Sequence, residues 1–463
     1  MNSPTTPIQT TPLTATPALG LAALFSVAIG VIVGQSTIVS LLQAVGISGW
    51  GFLGAMAIGY GLMLCNSASF AELALLMPRA GGLSGYCEAA LGHFPAIFAV
   101  FAGYVVPALF GPAAEMLVVG GVMDQLLPGT LPTLAWAGLL MGVLVVLNLL
   151  GTDVFAKLQT GLTFTMLAAL GITGLWALGH APEANTAASV ASSGWAGMAA
   201  DTTVLGVVAL VMYSLIGTEF VTPLTADAAQ PERNVPRAMF LGLTVVTLVN
   251  VVFCLGASAH LGRAKLAESP LPHLDYALAV FGPGVRLVFA TIAVVATASL
   301  LNTVLGAVPR MLQAMAEAGQ VFPIFKHVNR HGVPWVATLF VAGLPLVGLL
   351  WSGGDVNRIV PLLVAAASAW LVAYMVAHAA VVALRLHAPG APRPYRVPLY
   401  PLPQIVAVLG LGYVIAHAAP APEMEGPIFA ALGWVLGLVA LIGALWVRLV
   451  MKRALFKADG LPR

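Results

Sequence analysis

The chain has 463 residues, of which 60% are apolar and 8% charged, whereas about 25% are charged in an ordinary soluble domain. So few charges cannot cover a water-facing surface, which excludes a soluble globular enzyme, and a net charge of +2 gives nucleic-acid binding no support. A membrane helix needs roughly 20 apolar residues, so the apolar supply suits about a dozen spans and leaves nothing for a separate catalytic domain.

Residues 1–18 are rich in Thr and Pro and carry no charge. They read as a disordered tail, without the basic start and small-residue cleavage site of a secretory signal. Apolar runs then alternate with short punctuation, and the first half gives spans 19–45, 50–77, 94–126, 131–150, 155–178 and 205–226. The second half gives 238–259, 285–311, 335–350, 359–384, 402–418 and 428–449. These are helices, because open sheet edges do not survive in lipid and the runs are too continuous for an outer-membrane barrel. The expected class is an all-α polytopic membrane protein of about twelve transmembrane helices. One transmembrane domain covers 19–450 and a tail covers 451–463.

Span 1 contains Gly30-Val-Ile-Val-Gly34-Gln35-Ser36-Thr37, and span 6 contains Tyr213-Ser-Leu-Ile-Gly217-Thr218-Glu219, with the glycines at similar depths. Corresponding helix interruptions in two halves of a transporter mark its binding site. Exposed N–H groups there can hold an anion, and exposed carbonyls a cation. Taken alone, Gly30-x-x-x-Gly34 is equally a helix-packing face, as Gly433-x-x-x-Gly437 in span 12 is expected to be.

A charge at the centre of a membrane helix costs about 2.5–3.5 kcal/mol on insertion scales, so acids in the spans are informative. Glu72 lies near the end of span 2 and is expected to pair with basic loop residues. Glu115, in the middle of span 3, either lines a cavity or makes an interhelical hydrogen bond. Glu219, beside the glycine of span 6, is the strongest functional candidate. His378 in span 10 is either a proton relay or a hydrogen-bonded helix contact. Asn302 and Thr303 in span 8 read as polar glue, and His327 and His331 as interfacial. Cys65, Cys87 and Cys254 have no metal-ligand spacing and read as small hydrophobes. No nucleophile–base pair, metal set or Walker-type loop is present, so neither an enzyme nor a cofactor is expected.

An even number of spans puts both termini on one side. If that side is the cytoplasm, only Arg263, Lys265, Arg286 and Arg358 of the 19 Lys and Arg fall outside, as the positive-inside rule requires.

Several ordered motifs resemble the amino acid–polyamine–organocation superfamily of secondary transporters. They are Glu72-Leu-Ala with Pro78-Arg-Ala-Gly-Gly82; Asn148-Leu-Leu-Gly151 with Lys157-Leu-Gln159; and Tyr213 to Glu219 continuing into Asp227-Ala-Ala-Gln-Pro-Glu-Arg-Asn-Val-Pro-Arg237. Arg310 to Gly319 with Gly332-Val-Pro334, and Arg393-Pro-Tyr-Arg-Val-Pro398, complete the set. The resemblance implies two inverted five-helix repeats of the LeuT type, about 19–180 and 205–385, with two helices appended. It places Gly34, Gln35 and Ser36 where backbone N–H groups meet a substrate carboxylate, and Ile216 and Gly217, with Thr218 beside them, where carbonyls receive the amino group. Tyr213 and Glu115 would face the substrate, with Glu219 below it. From the residues themselves, Glu219 and His378 are the candidates for coupling to a proton or Na+. The family usually has Gly-Ser-Gly where this chain has Gly34-Gln35-Ser36, and proton-coupled relatives often have a lysine where Met166 stands. The implied function is transport of an amino acid or related small amine across the inner membrane by alternating access. An amine-specific permease or exchanger remains the alternative within this class, and a channel or sensor the alternative outside it.

Overall fold

The computed structural model describes residues 19–181, 203–353, 356–419 and 422–461. The Thr- and Pro-rich tail expected to be disordered lies outside the described residues. Within them, the apolar runs are helices, as they must be where hydrocarbon leaves backbone groups no partner but their own chain. Among the described residues, nine helices are long and apolar enough to cross a membrane, and the bent pair Leu21–Gly30 and Gln35–Ser48 makes a tenth. Two shorter apolar helices, Thr133–Leu149 and Leu402–Ala416, complete the twelve expected segments as spans 4 and 11.

Span 2 is Gly51–Leu76. Span 3 runs from His93 to Leu126 through a wide π turn at Phe101–Val105, and span 5 is Thr152–Gly179. Span 6 begins as the helix Thr203–Tyr213 and resumes as a 3-10 helix at Thr218–Asp227. Span 7, Pro231–His260, starts earlier than its apolar run because Pro231 opens a polar first turn, where a missing N–H costs nothing. Spans 8 (Arg286–Glu317), 9 (Trp335–Ser352), 10 (Val356–His387) and 12 (Pro422–Leu445) are each a single helix.

The sequence reading expected plain loops where three short helices stand: Leu83–Leu91 between spans 2 and 3, and Arg263–Glu268 and Pro272–Phe281 between spans 7 and 8. The last two cover the end of span 1, where Arg263 donates to the carbonyls of Gly46 and Ile47. On the opposite face, Leu19 and residues 227–229 pair through two backbone hydrogen bonds, tying the start of span 1 to the end of span 6. The segment after span 12 docks beside the Leu83–Leu91 helix, with Phe94 N donating to Leu455 O and Asp459 N to Glu88 O.

Glu72 is held as its position near the span end led us to expect. It is 2% exposed and receives Arg385 through both Nε (2.7 Å) and Nη2 (2.6 Å), with Arg393 Nε at 3.3 Å and the Val397 N–H at 2.7 Å. Its role is to fasten span 2 to the end of span 10 and the loop after it.

Candidate substrate site

Span 1 breaks after Gly30. The N–H groups of Ile32 and Val33 both return to the Ile29 carbonyl, and the chain is extended at Gly34 before Gln35 opens the second half at a 61° bend. Thr37 holds the break from within, its hydroxyl 2.6 Å from the carbonyls of both Ile32 and Gly34. Span 6 breaks over Ser214–Gly217. Gly217 has φ +138°, which a side chain would strain, and Pro223 further on has no N–H to give to a regular helix. A Cβ added at Gly217 would lie 3.2 Å from Val31 Cβ. The two interruptions therefore face each other in direct contact.

Both breaks leave backbone acceptors open. Among the described residues, the carbonyls of Val31 and Val33 and of Ser214, Leu215 and Ile216 accept no backbone hydrogen bond. The donors of the span 1 break, in contrast, are taken. Glu115, fully buried on span 3, accepts from the N–H of Gln35 (3.1 Å), the N–H of Ser36 (2.6 Å), the Ser36 hydroxyl (2.5 Å) and the Thr297 hydroxyl (3.1 Å). A carboxylate bound by four donors at a helix amino terminus is in the geometry of an ionised acid complementing the helix dipole. Gln35 turns its side chain away, donating to Ala293 O (3.1 Å) and Thr297 Oγ1 (2.7 Å), with His273 Nε2 3.2 Å from its oxygen. Met166 lines the same small apolar space as Gln35 and Ile38.

Between the breaks and spans 3, 8 and 10 lies a narrow cavity of about 30 Å³. Val31, Ile216, Leu300 and the rings of Tyr104, Tyr213, Phe220 and Trp370 line it, so its wall is overwhelmingly apolar. Tyr104, Phe220 and Trp370 form an aromatic group with ring centroids 5.5–6.0 Å apart. Behind it, Glu219 Oε1 accepts from Trp370 Nε1 at 3.2 Å, and the hydroxyls of Tyr104 and Tyr374 lie close to the same carboxyl, whose Oε2 makes no hydrogen bond of ordinary geometry. Thr218 faces away from the cavity, its hydroxyl 2.9 Å from that of Ser67.

The structure thus gathers Gly34, Gln35, Ser36, Glu115 and Tyr213 at one end, with Tyr213 OH 3.5 Å from Ser36 Oγ. Ile216 and Gly217 form the facing break, and Glu219 sits behind the aromatic group. His378 lies apart, with Nδ1 3.0 Å from Ser69 Oγ. Sequence reasoning missed Thr297, Trp370 and Tyr104. Thr297 was signalled by the polar series Thr297, Ser299, Asn302 and Thr303 inside an apolar run, of which only the last two were singled out. Asn302 and Ser299 instead clamp the first half of span 1. Ser299 donates to Gly30 O, and Asn302 bonds Gln159, which reaches Ser299 in turn. Nothing in the sequence separates Trp370 or Tyr104 from the other aromatic residues of the spans. Among the described residues, the one grouping of metal-ligating side chains, Glu88, His93 and Asp459, is far from this cavity, and its members already pair with one another and with Arg453.

A profile of amino acid permeases matches residues 19–450. The chain belongs to the amino acid permease family. It is 27% identical over 439 residues to the serine/threonine exchanger SteT of Bacillus subtilis (strain 168), covering 90% of this chain and 94% of that protein. It is 23% identical to a putative histidine permease of the same organism, covering 83% and 84%. Two solved structures share its architecture. One is Mhp1, a nucleobase-cation-symport-1 family transporter in a closed conformation with bromovinylhydantoin bound, at TM-score 0.57 and 15% identity, covering 96% of this chain and 97% of Mhp1. The other is a manganese transporter mutant from Eremococcus coleocola, at TM-score 0.61 and 12% identity, covering 92% and 94%. The permease therefore has the LeuT-type fold, two inverted five-helix repeats followed by two helices, and is a multi-pass membrane transporter. In this chain the acid Glu115 of span 3 takes the first donors of the span 1 break.

Proposed function

We propose that this permease carries an amino acid or related small amine across the cytoplasmic membrane by alternating access, as a secondary transporter with both termini in the cytoplasm. The repeats at about 19–180 and 205–385 would move around a fixed central site. The observation that carries this reading is the contact of the two helix interruptions, at Val31 and Gly217, beside a narrow cavity. Open carbonyls at both breaks supply acceptors for an ammonium group. Tyr213 packs over the cavity, and the basic residues concentrated on the face of the termini support the orientation. Counterflow in proteoliposomes tests the class: the permease shows saturable uptake accelerated by the same molecule on the far side, which a channel does not.

Glu219 is the coupling group of this proposal, because it is a fully buried acid beside the span 6 break with only hydroxyl and indole groups around its carboxyl and, among the described residues, no cation to fix its charge. Glu219→Gln keeps the side-chain shape and removes the ionisable group. The expected result is normal membrane insertion with transport lost or its pH profile displaced. Uptake equal to the parent protein at every pH contradicts the role.

A further inference from the structure

The amino end of the second half of span 1 is the obvious seat for a substrate carboxylate in a transporter of this fold, and in this chain it is already taken. We propose that Glu115 is a built-in occupant of that anion seat, and that the transported molecule is a small amine with an apolar body and no carboxylate. The inference rests on the transport reading above and narrows its substrate class.

Three observations converge on it. First, the N–H groups of Gln35 and Ser36 and the hydroxyls of Ser36 and Thr297 all point at Glu115, so an incoming carboxylate finds these donors spent. It would also lie beside a like charge in a poorly solvated place, where repulsion is strong. The fit is built into the backbone: a Cβ at Gly34 would stand 2.7 Å from Glu115 Oε1, so only glycine lets the acid in this close. Second, the groups left open at the breaks accept rather than donate. Of the unbonded carbonyls, those of Val31 and Ile216 belong to residues lining the cavity. An ammonium group has three donors and no acceptor and matches such a set, with the aromatic faces of Tyr104, Phe220 and Trp370 adding cation–π attraction. Third, the cavity wall is otherwise apolar, which suits a hydrocarbon body. The negative charge of Glu115 is separated from the cavity by Ser36 and Tyr213, close enough to favour a cation inside.

The test compares pairs that differ only by the carboxylate: phenethylamine with phenylalanine, isoamylamine with leucine, and ethanolamine with serine. Binding is read by thermal shift of the purified full chain and transport by counterflow in proteoliposomes. The expected result is an amine preference of at least about tenfold over the matched amino acid in at least one pair. That preference should shrink or invert in Glu115→Ala, which frees the two N–H groups. Glu115→Gln, which keeps the side-chain volume, serves if the alanine variant does not fold, and the comparison in the parent protein stands without either. An amino acid bound as tightly as its amine, or more tightly, in every responding pair overturns the inference and leaves the transport proposal intact. Absence of saturable counterflow with any compound overturns the transport proposal and this inference with it.

Discussion

Replacing Glu72 with alanine is expected to cost the fold about 3–5 kcal/mol, the usual consequence of deleting one partner of a buried ion pair. The loss deprives two guanidinium groups of their carboxylate, although Arg393 keeps the carbonyls of Leu384, Ala388 and Ala391. Arg393 is 8% exposed overall and its Nε has no hydrogen-bond partner, only Glu72 at 3.3 Å. Arg385 loses both of its short bonds and keeps the ring of Tyr400, 4.6 Å away. The Val397 N–H is stranded too. The thermal midpoint in detergent should fall by roughly 3–5 °C, with a smaller fall for Glu72→Gln, which still offers an acceptor to Val397. An unchanged midpoint in Glu72→Ala contradicts the structural role assigned to this acid.

Gly34→Val is expected to abolish transport, by roughly 100-fold or more, while the helices still insert. Even the first added carbon would lie 2.7 Å from both Glu115 Oε1 and Leu300 Cδ1. Neither neighbour can yield cheaply, since Glu115 is held by four bonds and Leu300 is buried in the cavity wall. Overpacking of this kind typically costs 1–3 kcal/mol and moves backbone, here the backbone that forms the break. Initial uptake rates, normalised to protein in the membrane, measure it. A rate within a few-fold of the parent protein contradicts the claim that the spacing of Gly34, Glu115 and Leu300 is set for function.

These residues also mark what sequence alone could tell. The spans are legible because lipid accepts little but continuous apolar helix, and both breaks are legible because glycine marks them: Gly34 by its small size and Gly217 by its left-handed backbone. The 3-10 geometry after Gly217 is not, since it emerges from Pro223 and the β-branched Thr218, Val221 and Thr222 acting with the neighbouring spans. The pairing of Glu72 followed from its nearness to a basic face. The partners of Glu115 did not, because Gln35, Ser36 and Thr297 lie far from it in the chain and meet it only when spans 1, 3 and 8 pack. Short helices such as Pro272–Phe281 escaped notice because neither a long apolar run nor a strong turn signal announces them.

The central claim is that one cavity between the two breaks opens to each side in turn, and cysteine accessibility at Ala108 tests it most directly. Ala108 is buried, lines the cavity from span 3, and is free of the bonds that hold Glu115. With half-buried Cys65 changed to alanine, and Cys87 and Cys254 buried, Ala108→Cys provides one reporter in sealed vesicles of known orientation. The account predicts reaction with a membrane-impermeant thiol reagent applied from either side. Reaction from one side only contradicts it.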